Sequence, residues 1–168
     1  MADSLELLVA RVARAEADAA DELAARLRSA DERELRPLAK HRSVLVRAVV
    51  ARVTPGHTAS CALALARELA RDAEPLVRTS LATALADDPG FGDDALYAKL
   101  LEDANENVRA LILPPASTRP ELVDALCVAL REDESPTLRA RLCALLGEKH
   151  PELSLPLLIE AAGREGDK

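Results

Sequence analysis

Aromatic side chains are nearly missing from this 168-residue chain, which carries one Phe, one Tyr and no Trp. Without them there are no platforms on which the bases of a single-stranded nucleic acid could stack. Glycine is sparse too, at six residues, and the chain holds no Walker loop, dinucleotide glycine pattern or nucleophile elbow. The three cysteines, Cys61, Cys127 and Cys143, stand singly inside apolar runs with no Cys-x-x-Cys pair. Each therefore reads as a small core residue in a reducing cytoplasm, not as half of a disulfide framework. No secretory leader pattern and no apolar run of membrane-spanning length is present, so a soluble, cytoplasmic protein is expected.

Positive charge is also in short supply. Twenty-nine acidic residues face 22 basic ones, for a net charge of −7 and a pI near 5.1. A general binder of nucleic acid or of anionic membranes would need the opposite balance. The charges are unevenly distributed, however. Residues 26–52 hold eight cations against three carboxylates, whereas residues 84–106 hold seven carboxylates against Lys99 alone. A chain that stacks its segments in order would be electrically polar along the stack.

What the chain does have is alanine and leucine, within a hydrophobic share of 49%. These are helix formers that allow close helix contact, and the fold class is all-α. A repeat organises it. Asp72-Ala73-Glu74-Pro75-Leu76-Val77-Arg78 returns as Asp103-Ala104-Asn105-Glu106-Asn107-Val108-Arg109 and as Asp133-Glu134-Ser135-Pro136-Thr137-Leu138-Arg139, and Val46-Arg47 repeats its second half. The arginines at 47, 78, 109 and 139 are 30 or 31 residues apart, a period that belongs to solenoids. Around them the residues one before (Val46, Val77, Val108, Leu138), three after (Val50, Leu81, Ile112, Leu142) and four after (Ala51, Ala82, Leu113, Cys143) are apolar or small. Those offsets fall on one helix face, so each marked segment is an amphipathic helix against a continuous core.

Taken in order, the spacing predicts helices over about 3–15 and 18–28, with Asp3 or Ser4 as the first N-cap; one merged helix is the alternative. This pair (residues 1–30) forms an N-terminal cap over repeats at 31–162, followed by a tail at 163–168. A short helix at 31–41 carries Pro37, and the first marked helix covers 43–53. Helices follow at 58–71 and from the Asp72 turn to about 86. Beyond the Asp87–Gly92 loop, Asp93 caps a helix at 94–101. The third marked helix begins near Asn105 and is expected to stop at Leu113, ahead of Pro114 and Pro115. Pro120 opens a helix to about Arg131. The fourth marked helix runs from Pro136 to Leu146, closed by Gly147, and a last helix at 152–162 contains Pro156.

With these helix pairs, turns and prolines, the chain resembles a HEAT-repeat protein, more closely the short bacterial HEAT-like kind, over about residues 31–162. The third unit, with Pro114, Pro115 and Pro120, looks more like a leucine-rich-repeat variant. The resemblance implies a right-handed α-solenoid of about four to five helix pairs. It also implies a structural ladder between successive repeats, built from a turn aspartate and an arginine early in the second helix. Asp72 and Arg78, Asp103 and Arg109, and Asp133 and Arg139 keep that offset of six, and Pro37 and Pro156 match the family's proline in the first helix. The first unit has His41 in place of the aspartate, which leaves Arg47 available to another partner. Ankyrin and tetratricopeptide patterns do not fit, because the Thr-Pro-Leu-His turn and the aromatic positions are missing.

The candidate chemistry is thin. Asp87, Asp88, Asp93 and Asp94 lack the alternating ligand spacing of a calcium loop, and His41, His57 and His150 do not pair with one another at helical spacing. The repeated His-Glu dipeptides of HEAT-like hydroxylases do not occur, and nothing marks the tetrapyrrole site of the phycobilin lyases that share this architecture. No catalytic residue, cofactor or metal is assigned, and the chain is not expected to be an enzyme.

The expected function is a scaffold that binds another protein on a concave face formed by the second helices of the repeats. Val49, Ser80, Leu111 and Arg141, two residues after each arginine, are expected to line that face off the core together with Arg52 and Thr83. Arg47, Lys40 and Arg42 would add a basic patch for an acidic partner. Salt-sensitive homo-oligomerisation and nucleic-acid processing through the basic N-terminal layers are the alternatives.

Overall fold

The computed structural model describes residues 4–57 and 61–151, which are all helical in class, with no strand among them. The two expected N-terminal helices are separate: α1 (Leu5–Ala13) and α2 (Ala19–Leu27). Ser4 caps α1, its hydroxyl accepting from the Leu7 N–H. Ala15 and Asp18 between them adopt positive φ, 56° and 61°. Such a conformation is unfavourable for residues with a Cβ, and it is accompanied by ion pairs from Arg11 to Glu16 and Glu22 and from Arg14 to Glu16.

Then come α3 (Glu32–Ala39), α4 (Val44–Val53), α5 (Ala62–Leu69), α6 (Pro75–Asp87), α7 (Asp94–Leu101), α8 (Glu106–Ala116), a 3-10 turn (Pro120–Leu122), α9 (Val123–Glu132) and α10 (Pro136–Lys149). Their starts are written in the sequence. Asp31 and Glu34 form a reciprocal capping box, Asp93, Asn105 and Ser135 accept from N–H groups of the first turn, and Pro75 and Pro136 occupy first-turn positions where no N–H is required.

The marked helices pack in series: α4 against α2 and α6, α6 against α8, and α8 against α10. The partner helices cover them from one side, α3 on α4 and α5, α7 on α8 and α9, and α9 on α10. The residues one before and three after each arginine are all buried, as are Ala51, Ala82 and Leu113 four after; Cys143 is half-buried. Small side chains at Ala51, Ala66 and Ala82, all fully buried, let the helix axes approach closely without aromatic filler. Among the described residues no helix is long and apolar enough to cross a membrane.

Two helix ends differ from expectation. Helix α8 does not stop at Leu113 but continues through Pro114 and Pro115 to Ala116. Pro114 has no N–H to offer the Ala110 carbonyl, and Arg141 from α10 donates to that oxygen instead, at 3.1 Å. Helix α10 likewise passes through Gly147 and ends at Lys149, with His150 as its C-cap, ahead of Pro151. Interior glycine costs about 1 kcal/mol relative to alanine, and burial of Leu142 and Leu146 on the same helix offsets that. The expected helix at 152–162 with Pro156, the tail at 163–168 and the start at Thr58 lie outside the described residues.

Candidate protein-binding face and the ladder beneath it

The four arginines are tied into the stack by one repeated geometry, displaced by a unit from the within-unit offset. Arg47 Nε and Nη2 donate to the two carboxylate oxygens of Asp72 at 2.6 and 2.9 Å. Arg78 does the same to Asp103, at 2.6 and 2.9 Å, and Arg109 to Asp133, at 2.7 and 2.9 Å. The third nitrogen, Nη1, turns back to the residue six earlier: Arg47 to the His41 carbonyl, Arg78 to Asp72, Arg109 to Asp103 and Arg139 to Asp133, at 2.7–2.8 Å. The offset of six is thus a side-chain-to-backbone contact, and the carboxylate belongs to the next turn. Bidentate guanidinium–carboxylate geometry fixes both distance and orientation, so each arginine sets the register between neighbouring units.

Arg47 is therefore not available to another partner. His41 substitutes for aspartate in the turn only: its Nδ1 accepts from the Ser43 N–H at 3.1 Å. Asp72, Asp103 and Asp133 accept in the same way from Glu74, Asn105 and Ser135 N–H, at 2.8–2.9 Å. The imidazole there completes the turn without adding a carboxylate that would need an arginine of its own.

The ladder is largely shielded, with side-chain exposures of 13% and 5% for Arg78 and Asp103. Burial alone would push the Asp72, Asp103 and Asp133 carboxyls up, but the bidentate arginine, the backbone N–H and the surrounding guanidinium charge together hold each below the usual carboxylate range. Burial raises Cys61 and Cys127, which keeps them as thiols.

The nine residues assigned to a binding face separate into groups. Val49, Arg52 and Ser80 converge on a groove of about 340 Å³ between α1–α2 and α4–α6, which Val12, Leu45 and Leu76 also line. Arg52 and Thr83 border a second hollow of about 490 Å³ along α2 and α6. Leu111 and Arg141 lie on later helices and line neither one. Lys40 and Arg42 flank the α3–α4 turn, where Lys40 approaches Glu68 at 3.7 Å. Two further expectations need correction. Val49 is buried, at 5% exposure, because α1 and α2 lie across α4. Arg52 is tied to Asp21 at 2.9 Å and to the Ala20 carbonyl at 3.0 Å, pinning the N-terminal pair to α4.

An apolar pair missed in the sequence stands two residues before the first two arginines. It is Leu45 and Leu76, where the later units carry Asn107 and Thr137, and Leu76 is 48% exposed at the groove. Its signal was present, because positions two before and two after the arginine are one helical turn apart on the same face.

A second arrangement also escaped the sequence. Arg119 donates to Asp94 at 2.8 Å and to the Pro89, Phe91 and Gly92 carbonyls, with its guanidinium 3.9 Å from the centre of the Tyr97 ring. Asp93 caps α7 and is paired with Arg67. This ties down the aspartate-rich loop through ion pairing and cation–π contact. Among the described residues no group of His, Cys, Asp or Glu is arranged to hold a metal ion. Compared with protein families, curated proteins and solved structures, the chain matches none.

Proposed function

We propose that this chain is a protein-interaction scaffold of the HEAT-like helical-repeat class, in which the marked helices present their outer row to a partner protein. The observation that carries this reading is Leu76. It stands half-exposed beside Leu45 and Val49 in a groove whose apolar walls come from three packed layers. A contiguous apolar surface left open between packed helices is the kind of surface that marks a protein-interaction site. The commitment of Arg47, Arg78 and Arg109 to carboxylates favours a protein partner over a phosphate backbone, which would need those guanidinium groups. Three cysteines with no disulfide among them suit a reducing cytoplasmic setting.

The test is purification of tagged wild-type and Leu76→Asp chains from native cell extract, with proteins and nucleic acids both identified. A stoichiometric protein recovered with the wild type and lost with Leu76→Asp, at unchanged helicity, is the expected result. Equal recovery by both chains would remove the groove as the site, and recovery of salt-released nucleic acid alone would remove the scaffold reading.

A further inference from the structure

A further groove lies between α7 and α9 and encloses about 550 Å³. Its floor is Ala98, Leu101 and Ala125, and Val128 stands at its wall with 48% exposure. Its rim holds Glu102, Glu132 and Glu134, all exposed. Among the described residues the groove lining holds one cation, Arg109, already committed to Asp133. The pocket is therefore apolar at the bottom and strongly negative at the edge.

The same chain carries the complementary surface. Along α3 and its C-cap, Arg33, Arg36, Pro37 and Lys40 are all exposed, and their spacing of three, four and seven places them on one face. Arg42 extends that row into the following turn. Arg36 pairs with Glu32 on its own helix and Lys40 with Glu68, both solvent-exposed contacts of the kind that contribute little and exchange readily. The stripe thus offers cations around an exposed proline ring, as the groove offers carboxylates around an exposed valine. Within one chain α3 is packed on α4 and α5, away from α7 and α9, so it cannot reach the groove of its own molecule.

We propose that the α7–α9 groove binds the α3 stripe of a second copy of this chain. The two surfaces differ, so the association is heterologous, and a growing row keeps one unused groove at one end and one unused stripe at the other. Charge complementarity at the rim sets the register, and salt weakens it. This surface is independent of the groove at Leu76.

The test uses the full chain and neutral surface substitutions. In sedimentation velocity at about 0.05 M salt, the wild-type mass is expected to exceed the monomer value of 18.0 kDa and to rise with concentration. At about 0.5 M salt it should return to that value. A stripe variant (Arg33→Gln, Lys40→Gln, Arg42→Gln) and a groove variant (Glu102→Gln, Glu132→Gln, Glu134→Gln) should each associate at least about tenfold more weakly than the wild type. Mixed together, they retain one intact groove and one intact stripe between them, so they should form a one-to-one pair and nothing larger. A wild-type chain that stays monomeric at low salt overturns the proposal, including one that instead binds a basic peptide. So does a mixture of the two variants that fails to pair.

Discussion

The Arg141 guanidinium donates across one repeat to the backbone carbonyl of Ala110, 3.1 Å away. Within α8 that oxygen would receive the N–H of residue 114, which is proline. A side chain from the following helix thus occupies a bond that proline cannot make, and the helix continues for another turn. Position 141, which repeat spacing marks as a partner contact, works here as an internal brace.

This relationship predicts a coupling. Arg141→Ala should cost somewhat under about 1 kcal/mol in the wild-type background, because the contact is solvent-accessible. In a Pro114→Ala background the alanine N–H can reach the Ala110 carbonyl, and the cost of Arg141→Ala should fall close to zero. Urea unfolding of the four chains gives the interaction energy directly. Equal costs in both backgrounds would mean that Arg141 acts elsewhere.

The ladder predicts an acid transition. Asp72, Asp103 and Asp133 are each held below the usual carboxylate range in the folded chain, so the unfolded chain binds protons first as the pH drops. Their stabilisation is complete above the unfolded carboxylate value of about 3.9 and is lost as the pH falls through the lower folded values. The urea midpoint should therefore vary little through these groups from neutral pH down to about 5 and decline below about 4. Asp103→Ala should cost about 3 kcal/mol at pH 7 by stranding Arg78. Asp103→Asn should cost less, because its amide oxygen can still accept from the Asn105 N–H. Both variants should show a shallower acid decline than the wild type.

How far the sequence could be read depended on whether a feature was local or lay between layers. The core rows around Arg47, Arg78, Arg109 and Arg139 were legible because helical periodicity alone decides which positions turn inward. The caps at Ser4 and Asp93 were legible because a side chain reaches an N–H only three residues away. The ladder was half legible: its six-residue spacing marks the contact to the Asp72 or Asp103 carbonyl, whereas the carboxylate pairing spans 24 or 25 residues. Val49 was misjudged because the helices covering it, α1 and α2, come from outside the repeat. The persistence of α8 through Pro114 was hidden for a similar reason, since its brace arrives from α10.

His41 gives the sharpest contrast between the two parts of the ladder contact. Its Nδ1 completes the α3–α4 turn, and its carbonyl receives Arg47, but among the described residues no arginine of a preceding unit reaches its side chain. His41→Ala should lose the turn contact and cost about 1 kcal/mol, as for removal of a capping acceptor. His41→Asp should recover most of that loss, because the carboxylate can accept from the Ser43 N–H and lies near the positive end of α4. The reciprocal change, Asp103→His, keeps the turn acceptor but leaves Arg78 without its carboxylate, and should cost about 3 kcal/mol. Chemical denaturation of these three variants separates the roles. Similar costs for His41→Asp and Asp103→His would mean that the first turn belongs to the ladder after all.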